Sequence, residues 1–253
     1  MTIIIPMAGL SSRFSKAGYT LPKYMLYARD KSLFNLAISS FEKYFKTCKF
    51  VFIVRDVYDT PLFVQKECKL LGISDFKIVV TEPTRGQAET VLKGIEKAEV
   101  PTDDSILIFN IDTFRPGFTF PTELEAWDGY LECFVGDGDN WSYAKTEDGT
   151  SDTRVIETAE KKAISNFCST GIYYFKSSGD FVSAYYKNEK TPLNGVKELY
   201  VAPLYNLLIR NGKNIHVDII PRDSVIFCGV PDEYIKYLEN DKYSLYLKDL
   251  KNK

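Results

Sequence analysis

Short apolar runs alternate with helical patterns of apolar residues over the first 112 positions of the chain. Four runs are continuous, rich in β-branched or aromatic residues and bounded by turns, which is typical of buried strands; they cover residues 3–5, 50–54, 76–80 and 105–109. Apolar residues spaced by three and four predict helices, with Ser32 as an N-cap and Gly72 as a helix end, over residues 32–45, 61–71 and 87–98. This alternation predicts a parallel sheet with helices on both faces and ligands at the carboxyl ends of its strands.

The pattern changes after about residue 120. Short strands follow without long helices between them, at residues 129–135, 141–145, 153–158 and 172–175. We expect these strands to be mixed or antiparallel additions that extend the sheet. The remaining predicted elements are a helix from Pro203 to about Gly212, strands at 215–219 and 225–228, and a closing helix over 231–247. No linker divides the chain, so we predict a single α/β domain over residues 1–253, a Rossmann-like, mostly parallel mixed sheet flanked by helices.

The composition argues against a nucleic-acid-binding protein, a membrane protein and a protein stabilised by disulfides or zinc. Lysine and arginine number 32 against 34 aspartate and glutamate, so the basic excess that marks a nucleic-acid-binding surface is missing. No apolar run is long enough to cross a bilayer, and Met1 and Thr2 lead directly into a strand, so we expect no membrane anchor and no signal peptide. The five cysteines are scattered, which is typical of reduced thiols in a cytoplasmic protein rather than of disulfides or zinc ligands. The single histidine, His216, lies in an alternating strand, and we expect it to be structural.

A turn containing glycine and serine follows the first strand, and Arg13 and Lys23 come after it. Gly9 tolerates positive φ and lets a ligand approach the backbone closely. Successive N–H groups in such a turn form a concavity that binds phosphate oxygens, and the two cations add positive charge there. We therefore predict a polyphosphate site formed by Ala8, Gly9, Leu10, Ser11, Ser12, Arg13 and Lys23. A turn of this kind, taken alone, is more often an ordinary connection between a strand and a helix.

Asn110-Ile-Asp112 directly follows the fourth predicted strand, at the edge of the sheet where ligands bind. A carboxylate at this point can hold Mg²⁺, because magnesium takes one or two protein carboxylates together with the phosphate oxygens of a substrate. The alternative is an aspartate that caps a turn. We favour the metal role for Asp112, because the chain already carries a candidate phosphate loop, and we expect Asn110 to face the nucleotide.

The segment over residues 82–90 joins the third predicted strand to the following helix. The side chains of Thr84 and Gln87, and backbone groups near Gly86, can present hydrogen-bonding groups to the edge of a nucleotide base. We predict that these three residues recognise the base. The alternative is that the segment only forms the start of the helix.

The run Pro-Met-Ala-Gly-Leu-Ser-Ser-Arg-Phe over residues 6–14, with Pro22 and Lys23 behind it, resembles the signature of the sugar-phosphate nucleotidyltransferases. That signature runs roughly Ala-Ala-Gly-x-Gly-Ser/Thr-Arg-Phe/Leu and then Pro-Lys, so Ser11 stands where the pattern has its second glycine. Asn110-Ile-Asp112 is similar to the family's Asn-x-Asp metal motif, and residues 82–90 are similar to its base-reading segment. The resemblance spans nearly the whole chain and is strongest before residue 120.

Two further segments resemble the part of the family pattern that binds the acceptor. Glu160-Lys-Lys162 is similar to Glu-Lys-Pro, which implies that Lys161 meets the acceptor phosphate, although such a run of charges is more often a solvated surface. Gly171 lies in a segment similar to the family's Gly-Ile-Tyr strand. Glu198 resembles an acceptor-binding glutamate that precedes a helix.

Residues 227–234 resemble the family's Asp-x-Gly-Thr-Pro-Glu-Asp, but Phe227 replaces the aspartate that would complete metal binding. Three explanations stay open. One protein carboxylate suffices, Asp218 or Asp223 substitutes for the missing one, or the metal is held differently.

The resemblance implies a nucleotidyltransferase fold of the GT-A-like type, with residues 1–120 as the nucleotide-binding half and residues 121–253 as the acceptor-binding half. An acceptor phosphate would attack the α-phosphorus of a nucleoside triphosphate and release pyrophosphate, with Arg13, Lys23 and Mg²⁺ on Asp112 as the catalytic groups. The expected partners are these two small-molecule substrates, and homo-oligomers are common among such enzymes.

Residues 6–14 and 17–23 resemble a capsular-biosynthesis branch of the family, which implies transfer of CMP from CTP to an amino-acid acyl phosphate. A sugar-1-phosphate nucleotidyltransferase that uses UTP, dTTP or CTP is the first alternative. A non-catalytic, nucleotide-binding regulatory protein is the second, and it is suggested by Phe227 and Ser11.

Overall fold

The computed structural model describes residues 1–147, 153–189 and 198–240. The strands are β1 (Thr2–Pro6), β2 (Tyr27–Ala28), β3 (Lys31–Ser32), β4 (Lys49–Val54), β5 (Phe76–Val80), β6 (Ile106–Phe109), β7 (Thr113–Phe114), β8 (Gly129–Val135), β9 (Ser142–Thr146), β10 (Val155–Glu160), β11 (Phe167–Phe175), β12 (Ile215–Ile219) and β13 (Ile226–Phe227). The helices are α1 (Ser12–Lys16), α2 (Leu33–Ile38), α3 (Thr60–Leu71), α4 (Gln87–Ala98), α5 (Ser178–Glu189), α6 (Tyr205–Arg210) and α7 (Pro231–Glu239).

The main sheet is built around β1, whose neighbours β4 and β6 both run parallel to it. β5 extends the parallel part beside β4, and β11 pairs antiparallel with β6 on the other side. The order is β10-β9-β11-β6-β1-β4-β5, while β8 also pairs with β11 and β12 with β8. The predicted α/β fold with a mixed sheet is therefore confirmed. The added strands of the second half pair in a mixed arrangement, as expected: β8, β9, β10 and β11 pair antiparallel with one another, and β12 runs parallel to β8.

Both faces of β1 are buried, which explains its continuous apolar run. Ile3 and Ile5 belong to one hydrophobic cluster and Ile4 to the other, because successive side chains of a strand alternate between the two faces. The first cluster includes Phe34 of α2, and the second includes Val91 of α4. Helices packed on both sides thus fix the carboxyl end of β1, from which the predicted phosphate loop departs.

The predicted helix over residues 32–45 consists of two elements. α2 ends at Ile38, and a 3-10 segment follows over Ser39–Tyr44 with a kink at Phe41 (φ −105°, ψ 22°). The ring of Phe41 packs edge-on against Phe109 at the end of β6, with centroids 4.8 Å apart. The pattern of apolar positions shows which residues are buried, but the tertiary packing of these rings decides where the α-helix stops.

The predicted helix boundaries agree well with the structure elsewhere in the first half. The Ser32 hydroxyl oxygen accepts the N–H of Asn35 at 3.0 Å and caps α2. Gly72 ends α3 in the left-handed conformation with φ 74°. Helix α4 has the predicted bounds.

Two elements of the second half differ from the prediction. β11 covers nine residues rather than four, and its pairing with β8 shifts register between Ser169 and Tyr173. The shift breaks the alternation by which a strand is found in a sequence. Helix α5 is missing from the prediction, although Phe181 and Ala184, three positions apart, are both buried as in an amphipathic helix.

The closing helix α7 begins at Pro231 as predicted and extends to Glu239. Residues 241–247 of the predicted helix lie outside the described residues. In the described part of the chain, no helix combines the length and the apolar character that crossing a membrane requires. The five cysteines are buried free thiols, as their scattered positions predict.

Candidate active site

A cavity of about 670 Å³ lies beside the segment that follows β6, and its lining comes from both halves of the chain. The first half contributes Arg13, Gln87, Asn110, Asp112 and Thr113. The second half contributes polar residues, which include Asp137, Ser142, Glu160, Thr170 and Glu233, and the aromatic residues Trp141, Tyr173, Tyr200 and Phe227. The carboxyl edge of the parallel strands is thus the place where charged residues from distant parts of the chain meet, as expected for this fold class.

The predicted site residues divide into two groups. Those that line the cavity are Arg13, Gln87, Asn110, Asp112 and Gly171. Those outside its lining are Ala8, Gly9, Leu10, Ser11, Ser12, Lys23, Thr84, Gly86, Lys161 and Glu198. Three of the second group nevertheless bond directly to lining residues: Lys23 bonds to Asp112, and Lys161 and Glu198 bond to Tyr200.

Lys23 and Asp112 form an ion pair at the cavity. The Lys23 Nζ lies 2.5 Å from the Asp112 Oδ2, and both side chains are largely buried. Burial raises the pKa of the Asp112 carboxyl, but the charge and the hydrogen bond of Lys23 outweigh this and place the pKa below its ordinary value. Asp112 is therefore ionised at neutral pH, and residues that lie 89 positions apart are brought together as the motifs predicted.

The loop before α1 has its left-handed residue at Ser11 rather than at Gly9. Ser11 has φ 51° and ψ 31°, and its carbonyl oxygen accepts the N–H of Phe14 at 2.9 Å. Its hydroxyl oxygen also accepts the backbone N–H of Lys23 at 3.4 Å. Gly9 is absent from the positive-φ residues of the described chain, and a Cβ at Gly9 would meet no atom within 4 Å. Gly9 therefore does not use the positive φ that a glycine tolerates, and the serine itself adopts the conformation that usually favours glycine.

The segment before α4 contains one predicted residue that faces the cavity, Gln87, and two whose contacts lie within the protein, Thr84 and Gly86. Gln87 donates a side-chain hydrogen bond to the Asn110 Oδ1, and both line the cavity. Gly86 has φ 144°, and a Cβ there would lie 2.6 Å from the backbone nitrogen and oxygen of Leu199. The Thr84 hydroxyl bonds to the Thr90 hydroxyl at 2.7 Å and donates to the Gly86 carbonyl oxygen at 3.2 Å. Of the three, Gln87 is the one whose side chain faces the cavity.

Lys161 and Glu198 meet through Tyr200, a residue outside the predicted site. The Lys161 Nζ donates to the Tyr200 hydroxyl and lies 4.6 Å from the centroid of its ring. The same hydroxyl donates to the Glu198 carboxylate. Because Tyr200 lines the cavity, it connects both predicted acceptor residues to the site. The only sequence signal for Tyr200 is its place two residues after Glu198.

Glu160 faces the cavity through a chain of hydroxyl groups. The Tyr173 hydroxyl donates to the Ser142 Oγ at 3.1 Å, and Ser142 donates to the Glu160 carboxylate. Burial raises the pKa of Glu160, and the bond from Ser142 and the charge of Lys161 oppose this only in part. Glu160 belongs to the Glu-Lys-Lys motif from which Lys161 was predicted, so the sequence could also have indicated Glu160. Tyr173 is the tyrosine of the segment similar to Gly-Ile-Tyr, whereas no sequence signal pointed to Ser142.

Gly171 lies at the irregular part of β11, against the nucleotide side of the cavity. It has φ 92°, and a Cβ there would lie 2.5 Å from the Asn110 Nδ2. The backbone N–H of Asn110 donates to the Gly171 carbonyl oxygen at 3.2 Å. A residue without a side chain therefore lets Asn110 approach β11 closely.

A buried carboxyl lies under the second-half wall of the cavity. Glu132 is inaccessible to solvent, its two carboxylate oxygens share the single N–H of the Arg115 Nε at 3.0 and 3.1 Å, and it accepts a hydrogen bond from the Thr170 hydroxyl at 3.0 Å. Burial raises the pKa of Glu132 to about 7, although the charge of Arg115 lowers it. Thr170 lines the cavity, so this pair supports the wall from behind.

Phe227 belongs to an aromatic cluster on the same wall. Its ring centroid lies 4.8 Å from that of Trp141, and the Arg222 guanidinium lies 4.8 Å from its ring. Asp218 and Asp223 are not among the lining residues, so neither takes the position of the missing family aspartate. In the described part of the chain, no group of three or more His, Cys, Asp and Glu side chains is arranged to hold a metal ion.

His216 is structural, as its strand position predicts. Its ring stacks on Trp127 with centroids 4.7 Å apart, and its nitrogens bond to Asn214 and Thr153 at 2.8 Å each.

No family model and no curated protein matches the chain. Among solved structures, the nucleoside-diphosphate-sugar pyrophosphorylase from Vibrio cholerae RC9 is 52% identical, with a TM-score of 0.90 over 94% of this chain and 100% of that one. A UDP-glucose pyrophosphorylase in complex with UDP-glucose (16% identity, 98% of each chain, TM-score 0.73) shares the fold. So does the inositol-1-phosphate CTP transferase from T. maritima (12% identity, 94% of each chain, TM-score 0.69). Identity above half over nearly the full length, together with the shared fold, shows that this chain is an enzyme of the nucleoside-diphosphate-sugar pyrophosphorylase family of nucleotidyltransferases.

Proposed function

We propose that the protein is a CTP:phosphoglutamine cytidylyltransferase. It transfers CMP from Mg-CTP to the phosphate of L-glutamine phosphate, gives CDP-L-glutamine and pyrophosphate, and acts in the modification of a capsular polysaccharide. The observation that carries the proposal is the shared cavity. Its lining includes Asp112, which pairs with Lys23, and Tyr200, which bonds to Lys161 and Glu198.

The nucleotide side has the groups that a triphosphate requires. Arg13 lines the cavity, and the N–H groups of residues 8–12 follow the carboxyl end of β1 directly. Gln87 and Asn110, which bond to each other and line the cavity, would meet the nucleoside. Lys23 would offset the charge that develops between the α- and β-phosphates during transfer.

Asp112 fits a magnesium ion, because its carboxylate is ionised, lies at the cavity and has a hard oxygen donor. Since no group of three or more acidic, histidine or cysteine side chains is arranged to hold a metal in the described residues, phosphate oxygens and water would supply most of the remaining ligands. When bound, the metal supplies positive charge against the phosphates. Lys23 then shares the Asp112 carboxylate rather than replacing the metal.

The reaction needs no general base. An oxygen of the acceptor phosphate, already anionic near neutral pH, attacks the α-phosphorus, the bond from that phosphorus to the bridging oxygen breaks, and pyrophosphate leaves with the bonding electrons. The chain's own contribution is positioning and charge neutralisation. Lys161, held by Tyr200, would align the incoming phosphate against the repulsion of the triphosphate.

The acceptor side favours a substrate that carries an ammonium group. Asp137 and Glu160 provide carboxylates there, and Trp141, Tyr173 and Tyr200 provide aromatic rings. Carboxylates and ring faces both attract cations. L-glutamine phosphate has an α-ammonium group for this wall, whereas a sugar phosphate such as glucose-1-phosphate carries no cation. The choice of CTP rests on the resemblance of residues 6–14 and 17–23 to the capsular branch.

The test is pyrophosphate release by the intact protein with Mg²⁺. CTP, UTP, dTTP and ATP are each paired with L-glutamine phosphate, glucose-1-phosphate and inositol-1-phosphate. We expect the highest kcat/KM with CTP and L-glutamine phosphate. Faster turnover with a sugar-1-phosphate would replace the proposal with the sugar nucleotidyltransferase alternative. No release with any pair, from a protein that still binds nucleotide, would favour a regulatory role.

A further inference from the structure

The backbone at Gly229 lies next to two carboxylates that belong to distant parts of the chain. A Cβ at Gly229 would lie 3.1 Å from the Asp112 Oδ2 and 3.6 Å from the Glu233 Oε2. The two carboxylate groups therefore flank the same small space, and both residues line the main cavity. A side chain at position 229 would intrude on this space.

The loop at residues 228–230 bonds to the backbone of Asp112 and to the carboxylate of Glu233. The N–H of Cys228 donates to the Asp112 carbonyl oxygen at 2.8 Å. The N–H groups of Gly229 and Val230 donate to the Glu233 Oε2 at 2.8 and 3.2 Å. These bonds occupy one oxygen of the Glu233 carboxylate and fix its orientation with respect to Asp112.

We propose that Glu233 supplies the second carboxylate of the metal site beside Asp112. Phe227, which stands where the family pattern has an aspartate, cannot supply it. Magnesium takes one or two protein carboxylates in addition to phosphate oxygens and water, and Asp112 is partly neutralised by Lys23. Phe227 instead packs against Trp141 and Arg222 on the acceptor wall. The inference rests on the proposed function in one respect, namely that Asp112 holds the metal.

The competing carboxylates are placed elsewhere. Asp218 pairs in register with Glu132 of β8 and belongs to the buried group around Arg115. Asp232 is adjacent to Glu233 in the first turn of α7, but it is exposed and outside the cavity lining. Asp232 therefore serves as a matched control, because its removal changes the same charge at the same helix end.

The test measures Mn²⁺ binding by electron paramagnetic resonance titration of the intact protein, without substrates. The variants are Glu233→Gln, Asp112→Asn and Asp232→Asn. In Glu233→Gln, the amide oxygen of the new side chain can still accept the two backbone N–H groups, so the helix cap and the melting temperature are retained. We expect Glu233→Gln to weaken Mn²⁺ binding at least tenfold, with Asp112→Asn weaker still and Asp232→Asn within twofold of the original protein.

Equal Mn²⁺ affinity of the original protein and Glu233→Gln would overturn the inference, even where Asp112→Asn has lost binding. Equal affinity in Asp112→Asn would overturn the metal role of Asp112 and, with it, the part given to Glu233. Because the readout is metal binding, the result stands apart from the substrate assay. A protein that binds Mn²⁺ through both carboxylates but uses another acceptor supports the inference and refutes only the proposed substrate.

Discussion

The two walls of the cavity hold their charges in different ways. On the nucleotide side, Lys23 and Asp112 pair directly, next to the carboxyl edge of parallel strands. On the acceptor side, charged groups near the cavity are linked through hydroxyls, as in Lys161–Tyr200–Glu198, and the direct Arg115–Glu132 pair lies behind the lining. A direct ion pair keeps a fixed charge in one place, whereas a hydroxyl can act as donor or acceptor and adapts to what is bound. We infer that the first wall is built for invariant phosphates and the second for a particular acceptor.

Removal of either partner of the direct pair should have the largest effect. We expect Lys23→Ala and Asp112→Ala each to raise the barrier to transfer by about 2–4 kcal/mol, which is a loss of kcat of roughly 30- to 1000-fold. Steady-state kinetics measure the loss, and circular dichroism checks that the fold survives. Lys66→Ala, which removes an exposed cation of α3, is the control. Near-normal turnover in either site variant would refute the role given to that residue.

The contact between the walls can be broken at Gly171. A Cβ there meets Asn110 at 2.5 Å in a left-handed conformation, whereas a Cβ at Gly212 (φ 77°) meets nothing within 4 Å. We therefore expect Gly212→Ala to lower the free energy of unfolding by about 1 kcal/mol through strain alone. Gly171→Ala should lower it by about 3 kcal/mol through strain and overlap. Urea denaturation measures both, and equal losses would show that the approach of Asn110 is not what requires glycine.

The acceptor wall, unlike the nucleotide wall, should make the free energy of unfolding depend on pH between about 4.5 and 7. Burial raises the pKa of Glu132 from 4.5 to about 7, so the folded protein keeps a proton that the unfolded chain releases between these values. The free energy of unfolding should therefore fall as pH rises through this window, by an amount on the order of 1–3 kcal/mol. Denaturation at pH 4.5 and 7.5 should show this fall reduced in Glu132→Gln. An identical pH dependence in both proteins would contradict the assignment.

Loss of the Tyr200 hydroxyl should have the smallest effect, and it should affect acceptor binding without affecting CTP binding. Tyr200→Phe keeps the ring against Lys161 but removes the bonds to Lys161 and Glu198. We expect the KM for the acceptor to rise about tenfold, the value of one hydrogen bond to a charged group, with the KM for CTP unchanged within twofold. Tyr58→Phe, on an exposed tyrosine, is the control. A parallel rise in both KM values would place Tyr200 in the support of the whole site rather than in acceptor binding.

The nucleotide side of the molecule could be predicted from the sequence better than the acceptor side. The strands around β1 are predictable because burial on both faces leaves continuous apolar runs, and Lys23 and Asp112 follow them in short motifs. The register shift in β11 leaves no comparable pattern.

Tyr200 and Ser142 become site residues only through tertiary contacts, since nothing in their own neighbourhood in the sequence requires them to reach the cavity. Thr84 and Gly86 show the reverse case. Their residue types suit a ligand, but their bonding partners and close neighbours lie within the protein.

The contacts of the segment that follows β12 have a consequence for synthesis on the ribosome. β13 pairs with β7, the Cys228 N–H binds the Asp112 carbonyl oxygen, and the Tyr234 hydroxyl donates to the Tyr27 carbonyl oxygen across 207 positions. A nascent chain can pair β1, β4, β5 and β6 long before these residues emerge from the exit tunnel. The pocket is completed only after residue 234 has been translated, so an interrupted polypeptide cannot consume nucleotide.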